Sequence, residues 1–63
     1  MEQIKYVDEQ EVSKITCRAL QTLRNDRHRG RGIPYIKVGR QVRYNLKEVI
    51  EFMESHRVKT EDF

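Results

Sequence analysis

The chain has 63 residues, 37% of them hydrophobic and 37% charged, with a formal net charge of +3 and a single cysteine, Cys17. That length allows one small domain over 1–63, burying only about 60% of its unfolded surface, with little room for a substrate and a cofactor beside the core. One cysteine cannot form an internal disulfide; no apolar run approaches the ~18 residues of a membrane helix and no signal-peptide pattern opens the chain, so a cytoplasmic protein without a membrane partner is expected.

Residues 1–7 (MEQIKYV) alternate weakly and read as a short extended lead-in. Asp8 is a good N-cap for a first helix, with Glu11 at the capping-box distance and Val7 and Val12 placed to form a hydrophobic staple. Val12 and Ile15 share a face, and the helix is expected to end near Thr16. No glycine marks the turn that must follow, and Cys17 reads as a small buried apolar side chain.

A second helix is predicted over about 19–28. Leu20 and Leu23 are its only large apolar residues, which puts Arg18, Gln21, Thr22, Asn25 and Arg29 on the exposed side. Arg27 falls near the inner face, where its stem would have to snorkel outward. Gly30 and Gly32 stop this helix and Pro34 keeps it from restarting.

Residues 35–44 read as a β-hairpin. A three-residue turn, Gly39–Arg40–Gln41, would pair Val38 with Val42 and Ile36 with Tyr44, placing all four on one face. A two-residue turn at Gly39–Arg40 would oppose Ile36 to Arg43 and mix the faces. The three-residue turn is therefore preferred, although Gln41 rather than Gly would then occupy the bulge position.

The third helix is the best signalled. Asn45 is its N-cap, Glu48 the N3 residue, and Tyr44 and Val49 the staple pair. Leu46, Val49, Ile50 and Met53 follow helical spacing, with Phe52 beside them. This stripe should close the core over Val12, Ile15, Leu20, Leu23, Ile36, Val38 and Val42, with Ile50 in its middle. The ordered core is expected over about 6–56, and residues 57–63 are expected to fray. The order helix, turn, helix, two-stranded wing, helix makes the fold class mainly α with a small β-hairpin, a winged helix-turn-helix.

Charge is concentrated in the middle of the chain. Residues 18–44 hold eight of the thirteen Lys and Arg residues and one of the ten acids, Asp26, hence +7; residues 1–17 and 45–63 carry −2 each. A basic centre between acidic flanks points to a polyanion, and double-stranded DNA is the expected partner. On the second helix, Gln21 and Asn25 can pair with adenine and Thr22 can meet a thymine methyl; with Arg18 they form the expected base-reading set. Arg24, His28, Arg29, Arg31, Lys37, Arg40 and Arg43 are the expected backbone contacts, with Arg40 reaching furthest from the tip of the wing. The single Arg29-Gly30-Arg31-Gly32 run reads first as a link between helix and wing.

His28, His56 and Cys17 lack metal-ligand spacing, and there is no HExxH, no CxxC and no phosphate-cradling GxxxxGK[ST]. No Ser/His/Asp set can be assembled. The expectation is therefore no enzyme, no metal, no cofactor and no small-molecule ligand.

The run from Glu11-Val12 through Thr22-Leu23 and GRGIPYIKVGRQVRY (residues 30–44) to Glu51-Phe52 resembles the excisionase-type small helix-turn-helix proteins. These are recombination directionality factors of phages and other mobile elements, with AlpA-like regulators as relatives. The resemblance covers about residues 6–57, and its wing motif is the specific part. Cys17 and Ala19 stand where the family carries a Gly and a Ser/Thr N-cap, and Asp26 where it carries an aromatic. The resemblance implies a compact MerR-like winged helix that binds and bends recombination-site DNA. It would do so cooperatively with further copies, as in a prophage, and direct an integrase toward excision. A small transcriptional regulator is the alternative within DNA binding. A protein-interaction adaptor, docking through the acidic flanks or the Phe63 tail, is the alternative of another class.

Overall fold

Asp8 ends an extended segment and starts a helix because its carboxylate accepts the Glu11 N–H at 2.9 Å, satisfying one of the donors a helix leaves unpaired. The computed structural model describes residues 3–60. Strand β1 (Tyr6–Val7) precedes helix α1 (Glu9–Thr16), which is followed by helix α2 (Leu20–His28). Strands β2 (Ile36–Val38) and β3 (Gln41–Asn45) form a hairpin, and helix α3 (Leu46–Ser55) leaves the end of β3 directly. Residues 57–60 have no regular structure and are exposed. The rest of the tail, with Phe63, lies outside the described residues.

The predicted helices occur within a residue or two of their expected bounds. Gly30, with φ +67°, follows the last turn of α2, and the Arg31 N–H returns to the Asp26 carbonyl at 2.9 Å. Asn45 caps α3 by accepting the Lys47 N–H at 2.9 Å. Between α1 and α2 the chain turns at Cys17, whose φ of 57° is the left-handed conformation a glycine would adopt without strain. Cys17 is exposed there, at the C-cap of α1, and not buried as its residue type suggested.

The sheet has one strand more than the expected two-stranded wing. The lead-in is a strand: Val7 pairs with Tyr44 and Tyr6 with Asn45, so the sheet is three-stranded and antiparallel in the order β1-β3-β2. The Leu46 N–H also donates to the Lys5 carbonyl at 2.8 Å, tying the start of α3 to the same segment. Among the described residues the domain is thus α+β, with three helices and a three-stranded sheet.

The hairpin register also differs from the expected one. Ile36 faces Arg43, Lys37 faces Val42 and Val38 faces Gln41, so the turn has two residues, Gly39 and Arg40. Gly39 has φ +60° and Arg40 does not share its sign, the pattern of a hairpin turn with glycine at the first central position. A one-residue difference in register reverses every side chain of a strand. Ile36 and Val38 consequently lie on the outer face, Val38 with 63% exposure, while Lys37 lies on the face shared with Val42 and Tyr44. Sheet-face sorting lost to turn geometry because Val7, on the far side of β3, completes the apolar face that Ile36 and Val38 were expected to supply.

The core is small: Val7, Val12, Leu23, Ile33, Tyr44 and Val49, with Val42 and Phe52 packed against it. Both expected staple pairs are therefore inside. Ile33 was not expected there; it follows the Gly32 turn and is 4% exposed. Ile15, Ile50 and Met53 are exposed, and Leu20 is half-buried. The stripe of α3 is rotated so that Val49 is fully buried in the cluster that holds Tyr44, and Ile50 is 50% exposed.

Among the described residues no helix is long and apolar enough to cross a membrane, and no cluster of His, Cys, Asp and Glu could hold a metal ion.

Candidate nucleic-acid interface

Two carboxylates partition the basic centre of the chain. Glu9, in the first turn of α1, accepts a two-pronged pair from Arg24, Nε to Oε1 at 3.2 Å and Nη2 to Oε2 at 2.6 Å. The same Oε1 accepts from Arg27 Nη2 at 3.2 Å. Arg27 also donates to the Tyr44 hydroxyl at 2.7 Å, and its guanidinium lies 5.9 Å from the centre of the Tyr35 ring. This explains an arginine on the inner face of α2: its head is held by a phenol, a carboxylate and a ring, and only 17% of its side chain is exposed.

Asp26 is the second carboxylate. Arg18 Nη2 meets it at 2.8 Å and Arg31 Nε at 3.7 Å. Arg18 lies in the turn before α2, not on the exposed face of the helix, and its guanidinium also sits 5.7 Å from the Phe52 ring centre. It is a strut joining the inter-helix turn to α2 and α3, which removes it from the expected base-reading face.

The other expected readers are where the helix periodicity put them. Gln21, Thr22 and Asn25 are exposed on α2, with Gln21 Nε2 donating to Asn25 Oδ1 at 3.0 Å. That mutual bond holds both amides on one stretch of the helix surface. His28 and Arg29 are exposed at the end of the same helix.

The hairpin supplies the opposite side. Arg24, Arg27, His28, Tyr35, Lys37 and Arg40 line one open groove between α2 and the hairpin. A second groove continues past Arg40 and Arg43 to Glu9. Lys37 joins this set only because of the two-residue turn; in the expected register it would face away. Arg43 is half-buried and donates to the Val42 carbonyl at 2.8 Å. Of the eight central bases, Arg18, Arg24, Arg27 and Arg31 have a carboxylate partner, whereas Arg29, Lys37, Arg40 and Arg43 have none among the described residues. The surface thus combines an amide-bearing helix face, a groove and four cations without a carboxylate partner among the described residues. That combination suits a polyanion with readable edges.

No family model matches the chain, and neither a curated protein nor a solved structure matches it.

Sequence reasoning missed Glu9, Asp26 and Tyr35. No local signal marks them, since Glu9 is 15 residues from Arg24 and 18 from Arg27. The misplaced Arg27 was the one trace of the cluster.

The Glu9 carboxyl titrates below the ordinary glutamate range. The hydrogen bonds from Arg24 are the largest cause; burial opposes them, and Arg27 adds to them. A lowered pKa in the folded state means that this carboxylate stabilises the fold fully above the unfolded value, about 4.3, and loses that contribution as pH falls through the lower folded value. Thermal melts at descending pH should therefore show a steeper loss of stability below about pH 4 in the wild type than in Glu9→Gln. Parallel acid limbs would mean that the clamp adds nothing to stability.

Proposed function

We propose that this chain is a small winged helix-turn-helix protein that binds double-stranded DNA, with α2 in the major groove and the β2–β3 hairpin as the wing on the neighbouring backbone. The observation that carries this reading is the groove in which Lys37 and Arg40 of the hairpin face Arg24 and His28 of α2, beside the exposed amides of Gln21 and Asn25. Gln21, Thr22 and Asn25 are the base readers in this proposal. Arg29, Lys37, Arg40 and Arg43 are the phosphate contacts, with Arg24 and His28 at the groove. Arg18 and Arg31 serve Asp26.

The resemblance to excisionase-type proteins supports the narrower proposal that the bound chain bends recombination-site DNA and directs an integrase toward excision. Footprinting on the DNA flanking the source locus tests this: protection beside integrase sites supports the excision role, and protection at a promoter alone favours a transcriptional regulator.

The DNA-binding step has a quantitative test. Four phosphate-neutralising side chains, at about 0.9 each, give a slope of log K against log salt near −3.6. Arg40→Ala should weaken binding to all sequences alike and flatten that slope by about one. Asn25→Ala should leave the slope unchanged and cost about 1–3 kcal/mol on the preferred site only. Fluorescence anisotropy over a salt series reads all three, and a wild-type slope near zero would remove the electrostatic basis of the proposal.

A further inference from the structure

Arg24 stands on a border. Its guanidinium is gripped by Glu9 on one side, and its side chain lines the groove shared with His28, Lys37 and Arg40 on the other. It is 49% exposed, against 17% for Arg27. The two arginines on Glu9 are therefore unequal. Arg27 has a second, enclosed partner in Tyr44, while Arg24 has Glu9 alone among the described residues. The Glu9 grip on Arg24 uses two nitrogens on two oxygens, the same fork that a guanidinium presents to a phosphate.

We infer that the groove between α2 and the hairpin is a phosphodiester subsite, and that Glu9 acts as an intramolecular stand-in for the phosphate, holding Arg24 in reserve until DNA displaces it. This rests on the DNA-binding reading above. In the free chain Glu9 keeps Arg24 extended and oriented, which lowers the conformational cost of its later use. A backbone phosphate entering between Arg24 and the Lys37–Arg40 pair competes with Glu9 for one fork. Arg27 stays on Tyr44 and keeps Glu9 from being left without a partner after the exchange. Near neutral pH the Glu9 carboxylate is ionised, so the transfer of Arg24 to a phosphate exchanges one anion for another. The consequence is that Glu9 weakens non-specific binding: loosely held DNA meets four cations, and closely seated DNA recruits a fifth.

The test is a salt titration of binding to a short duplex of random sequence, over about 50 to 200 mM salt. Four proteins are compared: wild type, Glu9→Gln, Arg24→Gln and the double variant. Glu9→Gln should steepen the slope by about 0.9 and tighten binding about eightfold at 0.1 M salt, the effect of one further phosphate contact. Combining it with Arg24→Gln should abolish that gain. Glu11→Gln removes the same charge from the same helical turn, from a residue with no ion pair among the described residues, and should leave the slope unchanged.

The inference is overturned if Glu9→Gln keeps the wild-type slope, if Glu11→Gln reproduces the change, or if the gain survives without Arg24. Should Glu9→Gln fail to fold by circular dichroism, Glu9→Asp keeps the helix charge and shortens the reach by one methylene. It should then steepen the wild-type slope by less than about 0.9, and a slope equal to wild type overturns the inference. Absence of wild-type binding at the lowest salt removes the DNA-binding reading as well; a wild type that binds, with the same slope in Glu9→Gln, removes this inference alone.

Discussion

Leu23→Ala is expected to leave most of the chain unfolded at 37 °C, while Ile50→Ala is expected to melt within a few degrees of wild type. Leu23 is 2% exposed and is the only residue of α2 in the core cluster, so α2 is anchored largely through it. Truncating a buried Leu to Ala costs about 2–5 kcal/mol, because the lost burial is compounded by a cavity that neighbours refill only partly. A domain of this size has only about 3–5 kcal/mol in total. Ile50 is half exposed, so its truncation removes little buried surface, and Ala is the better helix former in exchange. Thermal unfolding followed by circular dichroism compares the two. Equal losses would mean that the α3 stripe is turned toward Ile50, as its periodicity alone suggests.

Gly32→Ala is expected to be the most damaging change outside the core, at about 2–4 kcal/mol, combining backbone strain with overpacking. Gly32 has φ +93°, a conformation that costs any residue with a Cβ, and a Cβ there would lie 2.8 Å from the Cβ of Asp26. Asp26 cannot rotate its own Cβ away, since that atom is fixed by the backbone of α2. Relief would require moving α2 or the following residue, buried Ile33, and either movement disturbs the Arg18 and Arg31 pairs on Asp26. Gly30→Ala is the control. Its φ is +67° but nothing lies within 4 Å of the added carbon, so only the backbone cost remains, about 1 kcal/mol. Equal melting temperatures for the two variants would show that the contact with Asp26 is relieved at no cost.

The opposite outcomes for Leu23 and Ile50 mark where the reading of the sequence held and where it did not. The three helices were legible because their signals are local. A capping carboxylate three residues from the N–H it accepts, a glycine after the last turn and a proline beyond it act over a few residues whatever the rest of the chain does. The exposed faces of Gln21, Thr22 and Asn25 followed from the helical period alone. The basic centre was equally visible, since charge is a property of composition.

Tertiary structure decided the rest, for reasons that act over longer spans. The hairpin register was a contest between sheet-face sorting and turn geometry. Val7, 37 residues before its partner Tyr44, changed the result by filling the apolar face. That outcome turned Lys37 toward α2 and made the groove. Which cations remain available was likewise set by Glu9 and Asp26, whose partners are brought to them by the packing of α1 on α2 and by the turn at Gly32. A one-dimensional sequence displays how many charges a segment carries. Which of them neutralise one another depends on distances of a few ångströms between side chains far apart in the chain, and those distances exist only once the core of Val7, Val12, Leu23, Ile33, Tyr44 and Val49 has closed.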